Sequence, residues 1–191
     1  VTVLGGAITE QAFANCANLK SVTIGDGVTE IGERAFDGCK LMKNVTLGNG
    51  VTKIGERAFN ECSRLASVVI PDGVTKIEQD TFNYCTDLTS IDFGSGVTEI
   101  GKFAFSNCLS LKSLVIPEGV TNVEYGAFNG CRRMTTITLP SSLVKIDAYL
   151  FTQCSALTTI NYNGTEAQWE AVEKSKNWNY EVTSAELVFK A

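Results

Sequence analysis

Apolar positions along this chain recur on a fixed 23-residue step. Phenylalanine stands at Phe13, Phe36, Phe59, Phe82, Phe105, Phe128 and Phe151. Three residues later comes cysteine, at Cys16, Cys39, Cys62, Cys85, Cys108, Cys131 and Cys154. Three further on is a long aliphatic side chain: Leu19, Met42, Leu65, Leu88, Leu111, Met134 and Leu157. A fourth column reads Val22, Val45, Val68, Ile91, Leu114, Ile137 and Ile160, with a fifth two residues on, from Ile24 to Leu139. The pairs Val28/Ile31 through Leu143/Ile146 complete the unit, and no insertion breaks the step. A 23-residue unit cannot bury its apolar face alone, whereas stacked copies bury a continuous core, so the period predicts a solenoid.

Within each unit the pattern predicts local structure. The alternation from Leu19 to Ile24 and its six successors reads as a short strand, stacked in parallel with the next copy. Turn dipeptides follow, Asp26-Gly27, Asn49-Gly50, Asp72-Gly73 and Ser95-Gly96, types that tolerate positive φ. Pro71, Pro117 and Pro140 end the strand in the copies where Gly25, Gly48 or Gly94 does not, a place where a missing N–H does little harm. The V-T-x-I stretch offers a second extended segment, and A-F-x-x-C a brief helical or 3₁₀ corner.

One turn carries Ile54, Gly55, Ala58, Phe59, Cys62, Leu65, Val68, Ile70 and Pro71 in the order I-G-x-x-A-F-x-x-C-x-x-L-x-x-V-x-I-P. This signature resembles the BspA-like, Treponema-type leucine-rich repeats of bacteria, over roughly residues 5–160. The resemblance implies an α/β repeat solenoid: a leucine-rich-repeat arc with parallel strands, short helical corners and a C-terminal cap. It also implies a secreted or cell-surface bacterial protein acting in adhesion.

The period stops after Ile160. Thr165-x-x-Gln168 is a capping box and predicts a helix that carries Trp169 and Val172 on one face and ends near Lys176. Trp178 and an alternating segment over Glu181–Phe189 then predict a closing strand. The division expected is a solenoid of about seven repeats over 1–160 and a cap over 161–191, since an uncovered last turn is a sticky edge. The N-G-T-x-A-Q-W run is similar to the terminal cap of the same bacterial repeats. Val1–Gly6 starts partway through a turn, as expected of a piece cut from a longer precursor.

Composition narrows the chemistry. The chain of 191 residues has 16 Lys and Arg against 21 Asp and Glu, a net charge of −5. That balance argues against nucleic acid or an anionic membrane as partner. No apolar run is long enough to span a bilayer. The chain has no histidine, which removes Ser-His and Cys-His dyads and imidazole metal sites. The C-x₂₂-C spacing matches no zinc pattern. Seven cysteines cannot all pair within one chain, and stacked side chains pointing one way oppose a disulfide torsion. They are expected to be reduced and buried. Glu33 and Glu56 share a column, but mixed signs along such columns suit a solvated face better than an acid/base pair. No cofactor or metal is expected, nor an enzyme. Asn44-Val-Thr and Asn163-Gly-Thr are glycosylation sequons, of little meaning in a bacterial protein.

Two surfaces are candidates for binding. One is the strand column that points away from the core, Ser21, Asn44, Ser67, Ser90, Ser113, Thr136 and Thr159, a broad and mildly polar face. The other is a departure from the repeat. The column of Arg34, Arg57 and Asp80 becomes Phe103, Gly126 and Tyr149, and beside it Glu33, Glu56, Gln79 and Lys102 give way to Tyr125. Such aromatics either form a binding patch or pack over a neighbouring corner or the cap. The expected function is a non-catalytic recognition or adhesion module, a monomer that binds a protein such as a host matrix protein, or a glycan. The alternatives are a carbohydrate-binding module, marked by aromatic platforms, and a hydrolase, marked by two carboxylates converging in a pocket.

Overall fold

The computed structural model of the protein describes residues 1–190. The backbone winds as a solenoid whose successive turns pair in parallel along two edges. A long ladder runs from Thr2–Ile8 and Ser21–Ile31 through Asn44–Thr46, Ser67–Val69 and Ser90–Asp92. It resumes with Ser113–Val115, Thr136–Leu139, Thr159–Tyr162 and Glu186–Phe189. A short ladder joins the end of Ser21–Ile31 to Lys53–Ile54, then runs from Lys76–Ile77 through Glu99–Ile100, Asn122–Val123 and Lys145–Ile146 to Glu173–Lys174. From Ser21 to Tyr162 each paired residue faces the one 23 positions on, as Ser21 faces Asn44, Ser67 faces Ser90 and Asn122 faces Lys145; in the first pair the offset grows from 21 at Thr2 and Thr23 to 23 at Ile8 and Ile31. The sequence period is therefore the register, and a slip by one residue would turn every core side chain outward. On the outer face of the short ladder the register aligns opposite charges, Lys53 on Glu30 at 2.7 Å and Lys76 on Glu99 at 3.5 Å.

The long ladder is interrupted once. Among the described residues no strand pairing joins Ser90–Asp92 to Ser113–Val115. At that step Phe93 takes a column held by Ile or Leu from Ile24 to Leu139 in the other copies, and its ring meets Phe105 edge-on at 5.7 Å.

The corners differ from the helical or 3₁₀ expectation. They are tight turns in which consecutive N–H groups alternate between two kinds of partner. The Arg34, Phe36 and Gly38 N–H groups donate to Glu56, Ala58 and Asn60 of the next turn, at 2.8–2.9 Å. The intervening Ala35, Asp37 and Cys39 N–H groups donate three residues back, to Gly32, Arg34 and Phe36. A residue in the left-handed region recurs every fourth position, Arg34 and Gly38, Arg57 and Glu61, Asp80 and Tyr84, Phe103 and Asn107. Each such residue reverses the local winding, so no helical run can propagate.

The interior is built from columns. The phenylalanine rings stack from Phe13 to Phe151 with centroids 5.1–6.1 Å apart and planes within 15°. Near-parallel rings report the translation between turns. The spacing lies close to the ~4.8 Å of paired strands, as turns joined by backbone hydrogen bonds at this corner require. The cysteines are free; six are buried and Cys16 is half-buried. Each buried thiol donates to the carbonyl of the phenylalanine one turn back, from Cys39 to Phe13 at 3.1 Å through Cys154 to Phe128 at 3.1 Å. The same carbonyl already accepts an N–H of its own turn, as Phe36 O does from Cys39 at 3.2 Å. The thiol thus fills the second lone pair with a small, otherwise apolar group. Burial pushes the Cys39 thiol up to about 11 and raises Cys62, Cys85 and Cys108 as well. Cys131 is raised by its hydrogen bond with Cys154 and by burial.

Beyond Ile160 the chain makes a further turn of the same solenoid. The helix covers Glu166–Ala171, with the capping box formed by Thr165 and Gln168. It ends earlier than Lys176 because Val172 is extended (φ −65°, ψ 127°) and leads into the pairing of Glu173 and Lys174 with Lys145 and Ile146. Lys174 Nζ also donates to the carbonyls of Trp169, which already accepts the Val172 N–H, and of Val172, closing the helix end. The final strand is Glu186–Phe189 rather than the whole of 181–189, since Glu181 has φ 68°. Lys145 faces Glu173, 28 residues on, and Thr159 faces Glu186, 27 on; the helix accommodates the excess over 23. Trp178 meets Phe151 edge-on at 6.3 Å and Trp169 at 5.4 Å, so indoles continue the phenylalanine stack.

Candidate functional site

The aromatics that break the repeat form one ridge. Phe103 and Tyr125 meet edge-to-face at 5.4 Å, and Tyr125 and Tyr149 at 5.5 Å with planes 56° apart. The ridge then continues to a residue the repeat columns do not reveal, Tyr180 of the closing segment, 5.6 Å from Tyr149 and nearly perpendicular to it. Asn177 donates to the Tyr149 hydroxyl at 3.2 Å. The expected packing against the closing segment is present, and part of the cluster is also exposed. The rings pack on one another and on the closing segment, yet Tyr125 keeps 37% and Tyr180 47% of its surface exposed.

Backbone geometry sets the ridge. Phe103 and Tyr149 are left-handed residues, φ 52° and 58°. Between them in the column lies Gly126, φ 62°, where a Cβ would sit 2.5 Å from Phe103 Cε1. Glycine both tolerates the conformation and lets the Phe103 ring lie over the next turn. One or two turns earlier the same column holds Arg57 and Asp80, joined Nε to Oδ2 at 3.3 Å.

The other surface stays a strand face. Ser90 and Ser113 are exposed and Thr136 is half-exposed, all in one outward column. Ser113 faces Thr136 directly, whereas Ser90 lies across the interruption of the ladder. Val69 and Val115 stand beside this column, 62% and 63% exposed. The ridge and this face belong to different segments of each turn, so they are separate surfaces.

Among the described residues the buried carboxylate, Asp80, 5% exposed, is fully engaged by neighbouring donors: Arg57, Gln79 and Asn83 all donate to it, at 3.0–3.3 Å. Glu30, Glu33, Glu56 and Glu78 gather in an open hollow of about 250 Å³, with Lys53 among them. Lys53 is held above its usual range by the hydrogen bond and charge of Glu30, so the cluster is a solvated ion-pair network. Among the described residues no group of His, Cys, Asp or Glu could hold a metal ion, and no helix is long and apolar enough to cross a membrane.

A parallel solenoid with stacked Phe, Cys and Leu columns in its core defines the leucine-rich-repeat class. The chain belongs to the BspA-type leucine-rich-repeat family, whose description matches residues 6–132 and 75–180 in six copies. Solved structures agree on the fold. A leucine-rich repeat protein from Bacteroides ovatus is 23% identical, with a TM-score of 0.71, covering 96% of this chain and 54% of its own. The T. pallidum leucine-rich repeat protein is 24% identical at a TM-score of 0.60, covering 92% of this chain and 72% of its own. The pneumococcal vaccine antigen PcpA is 17% identical at 0.63, covering 97% and 59%. The chain thus spans little more than half the length of the Bacteroides protein. No curated protein sequence matches it.

Proposed function

We propose that the chain is a non-catalytic recognition module of a secreted or surface-attached bacterial protein. Residues 161–191 cap the repeat body over 1–160, and a protein partner docks across the ridge of Phe103, Tyr125, Tyr149 and Tyr180. The observation that carries the reading is the ridge itself: four aromatics in contact over successive turns, two of them well exposed. Interface hot spots favour Tyr and other aromatics over Ser and Thr, which ranks the ridge above the strand face of Ser90, Ser113 and Thr136. The edge-to-face packing also matters. Each ring edge covers part of its neighbour's face, so the ridge is not a flat platform of the kind a pyranose stacks on, and it suits an irregular protein surface. Family membership supports a binding or adhesion role. The test is capture of host matrix proteins from an extract by the immobilised chain. A protein captured by wild type and released by Tyr125→Ser/Tyr149→Ser supports the reading; capture that ignores the double substitution refutes it.

A further inference from the structure

Beside the ridge, on the side of the earlier turns, lies an open groove of about 400 Å³ that shares only Phe103 with the proposed protein contact. Tyr84 and Phe103 border it, and its lining is otherwise polar: Arg57, Asp80, Asn83, Asn107 and Asn129 all contribute. We propose that this groove binds a short stretch of neutral glycan, one pyranose per turn of the solenoid.

Four features argue for that ligand. First, the groove mixes planar hydrogen-bonding groups with aromatic borders, as a sugar requires. Amide, carboxylate and guanidinium groups can each bridge adjacent hydroxyls, while an aromatic face meets the C–H side of the ring. Second, the polar groups are already ordered. Asn83 Nδ2 donates to Asp80 Oδ1 at 3.0 Å, Arg57 Nε to Asp80 Oδ2 at 3.3 Å, and Asn107 Nδ2 to the Ser106 hydroxyl at 2.9 Å. Binding therefore costs little side-chain entropy. Capacity remains, because the terminal guanidinium N–H groups of Arg57 and the half-buried amide of Asn129 find no side-chain partner among the described residues. Third, the charge is balanced. The buried Asp80 carboxylate is matched by Arg57, and the whole chain carries −5, which disfavours uronic and sialic acids. Fourth, the geometry repeats. Asn83 and Asn129 stand two turns apart in one column with Ser106 between them, and the neighbouring rings of Phe82, Phe105 and Phe128 advance 5.5 and 5.9 Å per turn. A step of that size matches the rise of one residue in an extended glycan, so a polymer can meet equivalent groups on successive turns.

The test uses the full chain in native gels cast with mannan, amylopectin, mixed-linkage β-glucan or arabinogalactan, and with polygalacturonate and heparin as anionic counterparts. At least one neutral polymer should retard the protein, and neither anionic polymer should do so as strongly. Asn129→Ala removes an amide that makes no side-chain hydrogen bond among the described residues. It should weaken retention at least tenfold at an unchanged melting temperature, and Arg57→Lys, which keeps the charge but loses the planar fork, should do likewise. In a nuclear magnetic resonance titration with oligosaccharides cut from the retarding polymer, the side-chain amide signals of Asn83, Asn107 and Asn129 should move. Tyr149→Ser/Tyr180→Ser should leave retention intact, which separates this site from the protein-binding ridge. Absence of retardation by every neutral polymer, stronger retardation by the anionic ones, or retention indifferent to Asn129→Ala and Arg57→Lys overturns the proposal.

Discussion

Raising the pH through the thiol range should unfold this protein abruptly, and the steepness should count the five cysteines whose thiols are raised. A free cysteine ionises near pH ~8.5. In the folded chain Cys39 is raised to about 11, and Cys62, Cys85, Cys108 and Cys131 are raised too. Below the unfolded value these thiols are protonated in both states, and their contribution to stability is fully present. Above it the unfolded chain sheds protons that the folded chain keeps, so stability falls until the folded values are reached. Each thiol removes about 1.4 kcal/mol per pH unit in that window. Five together remove about 7 kcal/mol per unit, which exhausts a stability of about 5–15 kcal/mol within about two units. The assay is urea unfolding under reductant at a series of pH values, followed by circular dichroism and by ultraviolet thiolate absorbance. A variant carrying Cys62→Ala, Cys85→Ala and Cys108→Ala controls for lysine and tyrosine ionisation. Its stability should fall less steeply than wild type by about 4 kcal/mol per pH unit. Thiolate signals from more than two of the seven thiols while the fold persists, or equal slopes for the two proteins, would refute the thiol ladder.

Three further outcomes follow from the packing. Phe82→Ala, which removes a ring stacked on both sides at 5.5 Å, should cost about 3–5 kcal/mol; Phe13→Ala, at a half-buried ring with one stacked partner, should cost less by denaturant titration. Gly126→Ala should lose about 1–2 kcal/mol to the left-handed backbone alone. It should also displace Phe103, seen as a changed aromatic circular dichroism signal; an unaltered spectrum and melting temperature count against the ridge geometry. Deleting 166–191 should expose Phe151, Leu157 and Ile160 and cause aggregation, whereas a truncated chain that stays monomeric with its original melting temperature contradicts the capping role.

The ladders and the core columns were legible because a strict period leaves one register open: Phe36, Cys39 and Val22 had to meet their counterparts 23 residues on. The role of cysteine was less so. Its column announced burial, but the thiol donating to Phe36 O depends on a carbonyl whose second lone pair only the folded corner exposes. The corners misled for a stated reason. Arg57, Asp80 and Phe103 occupy left-handed positions that glycine ordinarily marks, and among the aligned residues only Gly126 hints at it. Past Ile160 the period fails, so Tyr180 could not be aligned with Tyr149, although both complete one ridge. Likewise Asp80, Asn83 and Asn129 lie in different columns or turns, and only the winding of the corner brings them to one groove.

Binding by the ridge is the claim on which the functional account rests, and surface plasmon resonance tests it directly. The chain is passed over the matrix protein it captures, beside Phe103→Ser/Tyr125→Ser/Tyr149→Ser and a second variant, Ser90→Lys/Ser113→Lys/Thr136→Lys. The account predicts that the aromatic variant, folded by circular dichroism, loses at least ~2 kcal/mol of binding free energy, about thirtyfold in Kd, while the lysine variant binds as wild type. Loss in the lysine variant with full binding by the aromatic one would move the site to the strand face and contradict the account.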